Sequence, residues 1–395
     1  MNQPPAEAEP TLADATAGQQ QRFAHAFELI QQAIANRVFP GAALTVVSHG
    51  QLVAWKGFGR FTYDPAAPEV RCETLWDLAS LTKPIATVSM AMLLFERGQL
   101  PLDAPVADLL PHFADIGSEP SGPFKPSFGL GGVVPTDSFK DTQRAWRQSV
   151  TVAMLLAHSS GLPAHRKLYL EASGREAIHK AARRVPLEAT PGTRAEYSDI
   201  GFILLGELLE LIAGEPIDRF CQREIFAPFN LNMSYAPHPS LRSAIPPTVN
   251  DVNYRHRIVQ GEVNDENASA MGGIAAHAGL FGDALSVARF AECLLRDGTP
   301  LFRSQTIELF TVRQPTPAGT SRTLGWDTPS PPSQSGALFS ARSFGHLGYT
   351  GTSLWCDPER QLSVTLLTNR TWPDSANQAI KQLRPPLHDA IVRAL

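Results

Sequence analysis

The sequence lacks the short motifs of several large enzyme classes. It contains no G-x-S-x-G nucleophile elbow, no H-E-x-x-H zinc motif, no P-loop and no G-x-G-x-x-G dinucleotide fingerprint. Its 11 histidines do not cluster at the spacing of metal ligands. These absences exclude the common zinc, nucleotide and α/β-hydrolase sites, and no metal is expected.

Cysteine, excess charge and long apolar runs are scarce as well. The four cysteines are far apart and form no C-x-x-C pair, which indicates buried free thiols. A net charge of −4 in 395 residues gives no reason to expect nucleic acid or a membrane surface as partner. No apolar run could span a membrane, and the N-terminus lacks the basic and apolar regions of a signal peptide. We therefore expect a cytoplasmic protein with a disordered polar tail over residues 1–17.

Both ends of the chain carry strand and helix patterns. Residues 19–37 repeat apolar side chains with a helical period, and two β-rich runs follow, AALTVVSH and QLVAWKGFG, separated by a turn at His49-Gly50. Near the C-terminus, the runs SLWCDP and LSVTLLTN favour strands, and residues 376–383 favour a helix. These elements predict an antiparallel sheet flanked by helices and built from both chain ends.

The middle of the chain is mostly helical in pattern. Between about residues 80 and 258, helical stretches alternate with loops rich in proline and glycine. The longest loop, 117–148, exceeds a simple connector, which favours a lid or wall of a site. The predicted fold class is α/β (α+β), with a discontinuous α/β domain of residues 18–78 and 270–395 and an all-helical domain of residues 79–269.

One candidate nucleophile stands at the start of this helical region, in Ser80-Leu81-Thr82-Lys83. Pro84 is tolerated only in the first turn of a helix, so Ser80 is expected at a helix N-terminus with Lys83 one turn further on the same face. A serine hydroxyl needs help to lose its proton, which a desolvated lysine can give. On its own, the spacing is better explained by a surface serine that caps a helix, with a solvated lysine beside it.

Two later motifs complete a pattern. Glu196-Tyr197-Ser198-Asp199 precedes a strongly apolar helix, so a phenol could be aimed from that turn into a cleft. His346-Leu347-Gly348 lies before a β-like run, where glycine allows a ligand to approach the backbone closely. Taken alone, the first motif is better explained by a core tyrosine and the second by a glycine-rich hairpin. The order and spacing of all three decide between these interpretations.

Taken together, the three motifs resemble those of the penicillin-binding-protein and β-lactamase superfamily of serine hydrolases. The stretches 149–163 and 264–290 resemble further blocks of its class C-like branch, which includes class C β-lactamases, D-Ala-D-Ala carboxypeptidases, D-aminopeptidases and family VIII carboxylesterases. The resemblance covers about residues 20–390. It implies the two domains described above, with the active site in the cleft between them.

The resemblance also implies roles for individual residues. Ser80 would be the acylated nucleophile, Lys83 its activator and Tyr197 the general base, with its phenolate favoured by Lys83. The backbone N–H groups of Ser80 and Tyr349 would form the oxyanion hole. No cofactor is implied. Substrate contacts would come from His346, Gly348 and Asp199.

Two departures from the family pattern bear on the substrate, which is expected to be a small ester or amide. Asp199 replaces a common asparagine, and His346 replaces the lysine of the β-lactamases, so the motif lacks a fixed cation for a substrate carboxylate. The first expectation is hydrolysis of small or medium carboxylic esters. The alternatives are a D-amino-acid peptidase such as a D-Ala-D-Ala carboxypeptidase, or a β-lactamase, as main or side activity. A non-catalytic binding protein is disfavoured because Ser80, Lys83 and Tyr197 are all present.

Overall fold

The computed structural model describes residues 12–114 and 137–395. Its strands are β1 (Ala13–Asp14), β2 (Gly41–Ser48), β3 (Gln51–Gly59), β4 (Trp76–Asp77), β5 (Met233–Tyr235), β6 (Val249–Asp251), β7 (Arg257–Val259), β8 (Leu280–Gly282), β9 (Phe344–Leu347), β10 (Ser353–Asp357) and β11 (Leu362–Thr368). Its α-helices are α1 (Gln19–Arg22), α2 (Ala24–Ala35), α3 (Ser89–Glu96), α4 (Val106–Leu109), α5 (Asp137–Ser149), α6 (Val152–Leu156), α7 (Arg175–Arg184), α8 (Asp199–Ala213), α9 (Ile217–Cys221), α10 (Glu266–Ala270), α11 (Ala284–Leu295), α12 (Ser304–Thr311) and α13 (Ile380–Ala394). Tighter 3₁₀ turns lie at Ala79–Leu81, Pro111–Phe113, Leu168–Leu170 and Pro239–Ala244, and wider π-helical turns at Lys83–Val88 and Gln222–Phe226.

The main sheet has the strand order β1-β3-β2-β11-β10-β9, and only the β1–β3 pair is parallel. Every residue of β2 and β11 is buried, so these central strands are covered on both faces. Leu44 and Val46 pack into the core formed with α2 and α13. The neighbouring Thr45 has the opposite orientation, and its hydroxyl donates to the carbonyl of Ala284 on α11 at 3.2 Å. Helices therefore flank the sheet on both sides.

The strands of this sheet come from the two ends of the chain, as the sequence predicts. The three N-terminal strands end at residue 59, and the three C-terminal strands begin at residue 344. The mixed α/β fold is thereby confirmed. The boundaries predicted between its two domains, at residues 78 and 270, stay a prediction.

Three expectations about local structure are wrong in part. The disordered tail was predicted to reach residue 17, but β1 pairs with Gln51 and Leu52 of β3. The final helix spans Ile380–Ala394 rather than 376–383. It continues through two prolines, residues that usually end a helix, so the pattern predicts its end too early. Within the loop predicted at 117–148, residues from Asp137 onward form α5, and residues 117–136 lie outside the described chain.

Helix α8 anchors the interior of the helical part. It is apolar around most of its circumference and buries nine of its residues, which is typical of a core helix. Its N-cap is Ser198, whose hydroxyl accepts from the Gly201 amide at 3.0 Å, and it ends at Gly214 in the left-handed conformation. Because both ends are fixed, the residues beside the N-cap, Tyr197 and Asp199, are held in place.

A small sheet of order β4-β8-β5 fixes the segment just before Ser80. Trp76 pairs with Gly282 and Asp77 pairs with Phe281, so the segment before Ser80 is tied to a strand from far along the chain. No helix in the described part of the chain is long and apolar enough to cross a membrane. Among the cysteines, Cys221, Cys293 and Cys356 are buried free thiols, and Cys72 is half-buried.

Candidate active site

Ser80 lies in the 3₁₀ turn Ala79–Leu81, immediately before the π-helical turn that leads into α3. The turn begins in an unusual conformation, because Ala79 has φ = 49°, a region that non-glycine residues seldom adopt. The Ala79 amide donates to the carboxylate of Asp77 at 2.8 Å, which helps to hold this conformation. Ser80 is thus presented by a backbone that its surroundings fix tightly.

Lys83 is fully buried, and its ammonium group has an acceptor for each of its three N–H bonds. Its Nζ lies 3.2 Å from Ser80 Oγ, 2.7 Å from Asp199 Oδ1 and 2.9 Å from the carbonyl oxygen of His277. Burial alone would lower the pKa of Lys83, but the charge of Asp199 and the nearby Tyr197 outweigh it, so the pKa is raised. Lys83 is therefore held as a cation beside Ser80.

Tyr197 is packed between aromatic rings and cations at the same site. Its ring centroid lies 4.6 Å from that of His158 and 5.8 Å from that of His346, and Lys83 Nζ lies 4.7 Å from the Tyr197 centroid. The loop is set by the Ser198 amide, which donates to His158 Nδ1 at 2.9 Å. The buried Tyr197 hydroxyl has no hydrogen-bond partner within 3.5 Å among the described residues. Tyr197, from a distant part of the sequence, thus meets Ser80 and Lys83 at one place.

Lys83 favours the Tyr197 phenolate, as expected, but it does not set the net pKa of the phenol. Burial raises this pKa, and Lys83 lowers it by less, so the net direction is upward. Besides burial, the charge of the Asp199 carboxylate, which contacts Lys83, also opposes ionisation of the phenol. In the resting site, Lys83 and Tyr197 together hold both of their protons near neutral pH.

Asp199 has a partner that the sequence did not indicate. One carboxylate oxygen is 2.7 Å from Lys83 Nζ, and the other lies 3.8 Å from His165 Nδ1. Burial raises the pKa of Asp199, but Lys83 and His165 together lower it by more. The net pKa is below its ordinary value, so this carboxylate is ionised. A substrate contact for Asp199 stays a prediction, because its first contact in the structure is with the lysine.

His346 lies on β9 with its side chain buried beside Tyr197. Burial, followed by the charges of Lys83 and Arg322, lowers the pKa of His346 to about 3. The imidazole is therefore neutral at physiological pH, as expected from the motif. Its Nδ1 lies 2.9 Å from the Leu347 carbonyl oxygen.

The turn after β9 is fastened to the segment that precedes Ser80. Thr350 and Thr352 donate their hydroxyls to the carbonyls of Asp77 and Leu78, at 2.9 and 3.0 Å. Gly348 must be glycine, because a Cβ there would lie 1.9 Å from Thr352 Oγ1 and 2.8 Å from the Leu78 carbonyl oxygen. The next amide, that of Tyr349, has no acceptor within the described chain. It is thus available for the oxyanion role that the sequence suggests.

Comparison with known proteins identifies the family. The model of the beta-lactamase family matches residues 26–384, which is most of the chain. The chain belongs to the beta-lactamase family. It is a serine hydrolase, in agreement with the three motifs found in the sequence.

Curated relatives of this beta-lactamase-family protein include an N-acetylmuramyl-L-alanine amidase from Bacillus subtilis. The two are 30% identical over 372 residues, which cover 84% of this chain and 77% of the relative. A putative D-alanyl-D-alanine carboxypeptidase from Escherichia coli is 28% identical over 369 residues, which cover 84% of this chain and 79% of the relative.

Solved structures support the fold. EstCE1, a hydrolase with promiscuous acyltransferase activity, has a TM-score of 0.71 at 20% identity, covering 95% of this chain and 99% of its own. A penicillin-binding-protein homologue from Caulobacter crescentus has a TM-score of 0.70 at 20% identity, and the match covers 95% of this chain and 98% of the homologue. At this level of identity, the likeness concerns the fold alone.

Sequence reasoning missed several charged residues of this beta-lactamase-family site. Arg322 lies in a stretch without a helix or strand, and its guanidinium carbon is 5.5 Å from the ring centroid of Tyr197. The expected lack of a fixed cation concerned the His346 motif, and Arg322 is a cation beside Tyr197 that lies outside that motif. His277 and Asp265 form another pair, 2.8 Å apart, beside Lys83. In the described chain, no group of three or more histidine, cysteine or acidic side chains could hold a metal ion.

Proposed function

We propose that the protein hydrolyses amide bonds in small substrates derived from peptidoglycan, whose leaving amino acid carries a free carboxylate, through an acyl-enzyme on Ser80. The curated relatives that support this are named as an amidase and as a putative carboxypeptidase, and their identity to this chain is 28–30%. The esterase neighbour is only 20% identical and adds support for the fold rather than for a substrate.

The observation that carries the substrate class is the position of Arg322. Its guanidinium lies over Tyr197, its side chain is 22% exposed, and its partner Asp327 is 3.5 Å away. A partly exposed arginine with such a loose ion pair can bind a carboxylate through two parallel N–H donors. Arg322 thereby takes over the anchoring role that neutral His346 does not fill.

The protonation of the site also suits an amide. An amine is a poor leaving group unless a proton reaches its nitrogen as the C–N bond breaks. Tyr197 has a raised pKa and lies beside a second proton donor, Lys83. The pair can therefore return a proton to the departing amine.

The reaction begins when the Tyr197–Lys83 pair lacks one proton. The pair accepts the proton of Ser80, and Ser80 Oγ forms a bond to the substrate carbonyl carbon. The negative charge on the carbonyl oxygen is met by the amides of Ser80 and Tyr349. The C–N bond then breaks as the pair protonates the amine, and water attacks the acyl-enzyme by the same steps in reverse order.

A matched substrate set tests this proposal. N-acetylmuramyl-L-alanine and D-alanyl-D-alanine would each be compared with the form whose terminal carboxylate is blocked as a primary amide. We expect kcat/KM to favour the free acid by at least about 10-fold, or about 1.4 kcal/mol. Arg322→Met should reduce this preference to about threefold or less. Arg313→Met, which removes an arginine bonded to Thr328 and Pro329 instead, should preserve it.

Hydrolysis of small carboxylic esters is the second candidate, favoured by the neutral His346. Esters need less protonation of the leaving atom than amides do. Turnover of short p-nitrophenyl esters with no cleavage of either amide substrate would establish this candidate and contradict the first. A cytoplasmic location remains a prediction in either case.

A further inference from the structure

Two arginines lie buried behind the turn that carries the Tyr349 amide. Arg384, on α13, is 3% exposed, and its Nη2 donates to the carbonyls of Gly351 and Thr352 at 2.9 and 3.0 Å. Its Nε has no hydrogen-bond partner in the described chain. The side-chain hydrogen bonds of Arg384 therefore go to the backbone of this turn.

Arg370 follows β11 and approaches the same turn from another side. It is 5% exposed, and its Nε donates to the Tyr349 carbonyl at 2.8 Å. Its Nη1 donates to the carbonyls of Ser375 and Asn377, each at 3.0 Å. The guanidinium carbon also lies 4.7 Å from the ring centroid of Tyr349. Three carbonyls of the turn, at residues 349, 351 and 352, thus accept from the two arginines.

Neither arginine has a carboxylate within 4.0 Å among the residues that the structure describes. Burial, followed by the charge of Arg370, lowers the pKa of Arg384 to about 9. A buried charge without a counter-ion is costly and is usually paired. Two neighbouring cations of this kind therefore indicate a role in which positive charge without a counter-ion is useful.

The turn they hold is the one that faces the nucleophile. Thr350 and Thr352 fasten it to the backbone at Asp77 and Leu78, two to three residues before Ser80. The carbonyls of residues 349, 351 and 352 accept hydrogen bonds from the two arginines. The Tyr349 amide has no acceptor in the described chain. Negative charge develops at this place when a serine attacks a carbonyl.

We propose that Arg370 and Arg384 are positioning residues of the oxyanion site, which fix the 348–352 turn and add positive potential where the tetrahedral intermediate carries its charge. The proposal rests on acyl transfer at Ser80, as proposed above, but on neither choice of substrate. Both arginines act through the backbone of the turn and need not touch the substrate.

The test compares Arg384→Met with Arg384→Lys in the full-length protein, with p-nitrophenyl acetate as substrate and phenylboronic acid as ligand. A boronic acid that binds the serine becomes an anionic tetrahedral adduct, so its Kd reports the oxyanion site. We expect Arg384→Met to lower kcat by about 10- to 100-fold with KM changed less than about threefold, and to weaken boronate binding by a similar factor. Arg384→Lys, which keeps the charge, should recover at least a third of the wild-type kcat.

Arg147 provides a matched control. It is also buried, at 2% exposure, and donates to the backbone carbonyls of Phe113, Arg183 and Val185 in the helical part. Arg147→Met should lower the melting temperature and leave kcat and boronate affinity within about twofold of wild type. If Arg384→Met does not fold, Arg370→Gln is tested instead, and the same changes in kcat, KM and boronate affinity are expected of it.

Three outcomes overturn the inference: a folded Arg384→Met or Arg370→Gln protein with kcat within twofold of wild type, boronate affinity unchanged in the variants, or Arg384→Lys as impaired as Arg384→Met. Failure of the wild-type protein to bind the boronate would instead count against acyl transfer at Ser80. The two failures are therefore distinguishable.

Discussion

Replacing Asp199 by asparagine should move the pH dependence of catalysis, because it removes the one negative charge within 4.0 Å of Lys83 in the described part of the chain. Lys83 and Tyr197 interact so closely that their protons are lost as a pair. Loss of the first proton creates the base that Ser80 needs, whichever of the two atoms gives it up. Asp199 raises the pKa of both groups, so it holds that first proton on the pair. Without Asp199, the pair should become active at lower pH.

The size of the shift follows from the contact. Removing one partner of a buried ion pair costs about 3–5 kcal/mol, because the other charge stays behind unpaired. One pKa unit corresponds to about 1.4 kcal/mol, so this cost equals about 2–4 units. Asp199 retains 19% exposure and Lys83 keeps the His277 carbonyl as an acceptor, both of which reduce the effect. We expect the midpoint of the rising limb of kcat/KM to fall by about 1–2 pH units.

The assay is the pH profile of kcat/KM on p-nitrophenyl acetate between pH 6 and 12, with the uncatalysed rate subtracted, for wild type and Asp199→Asn. Glu28→Gln, an exposed carboxylate-to-amide change on α2, gives the same change in net charge away from the site and should leave the profile unchanged. A midpoint that stays in place or rises in Asp199→Asn would refute the coupling of this carboxylate to the Lys83–Tyr197 pair.

Three further predictions concern the individual side chains. Lys83→Ala and Tyr197→Phe should each lower kcat by about two to four orders of magnitude, with Lys83→Ala the worse, and Tyr197→Phe activity within tenfold of wild type would mean that another group accepts the proton. Ser80→Ala should abolish turnover while costing about 1 kcal/mol of unfolding free energy or less, measured by denaturant titration; residual turnover above about 0.1% would point to another nucleophile. His346→Asn should leave the shape of the pH profile between pH 5 and 9 unchanged, because a histidine with a pKa of about 3 does not titrate there, and loss of a limb would contradict the neutral imidazole.

The parts of this site that could be predicted are those with a local signature. Ser80 and Lys83 are three residues apart at the start of a helix, and Tyr197 precedes an apolar helix that its N-cap and C-cap delimit. The sheet built from both ends followed from two hairpin-like pairs of strands. In each case, the information lies within a continuous local stretch of the chain.

The parts that could not be predicted depend on contacts across the chain. The Lys83–Asp199 ion pair joins residues 116 positions apart, and the bond from Arg384 to Gly351 joins residues 33 apart. Arg322 stands in an irregular stretch where no periodicity or motif marks it. Helix α13 was misplaced for another reason: its two prolines cost backbone hydrogen bonds that burial of Leu383, Leu387 and Ile391 outweighs.

The central claim, that Ser80 is acylated, is tested most directly by mass spectrometry of the protein after reaction with a fluorophosphonate. The account predicts one adduct per chain, located by peptide mapping on Ser80, absent from Ser80→Ala and formed far more slowly in Lys83→Ala. An adduct on a different serine, or equal labelling of the Ser80→Ala protein, would contradict it.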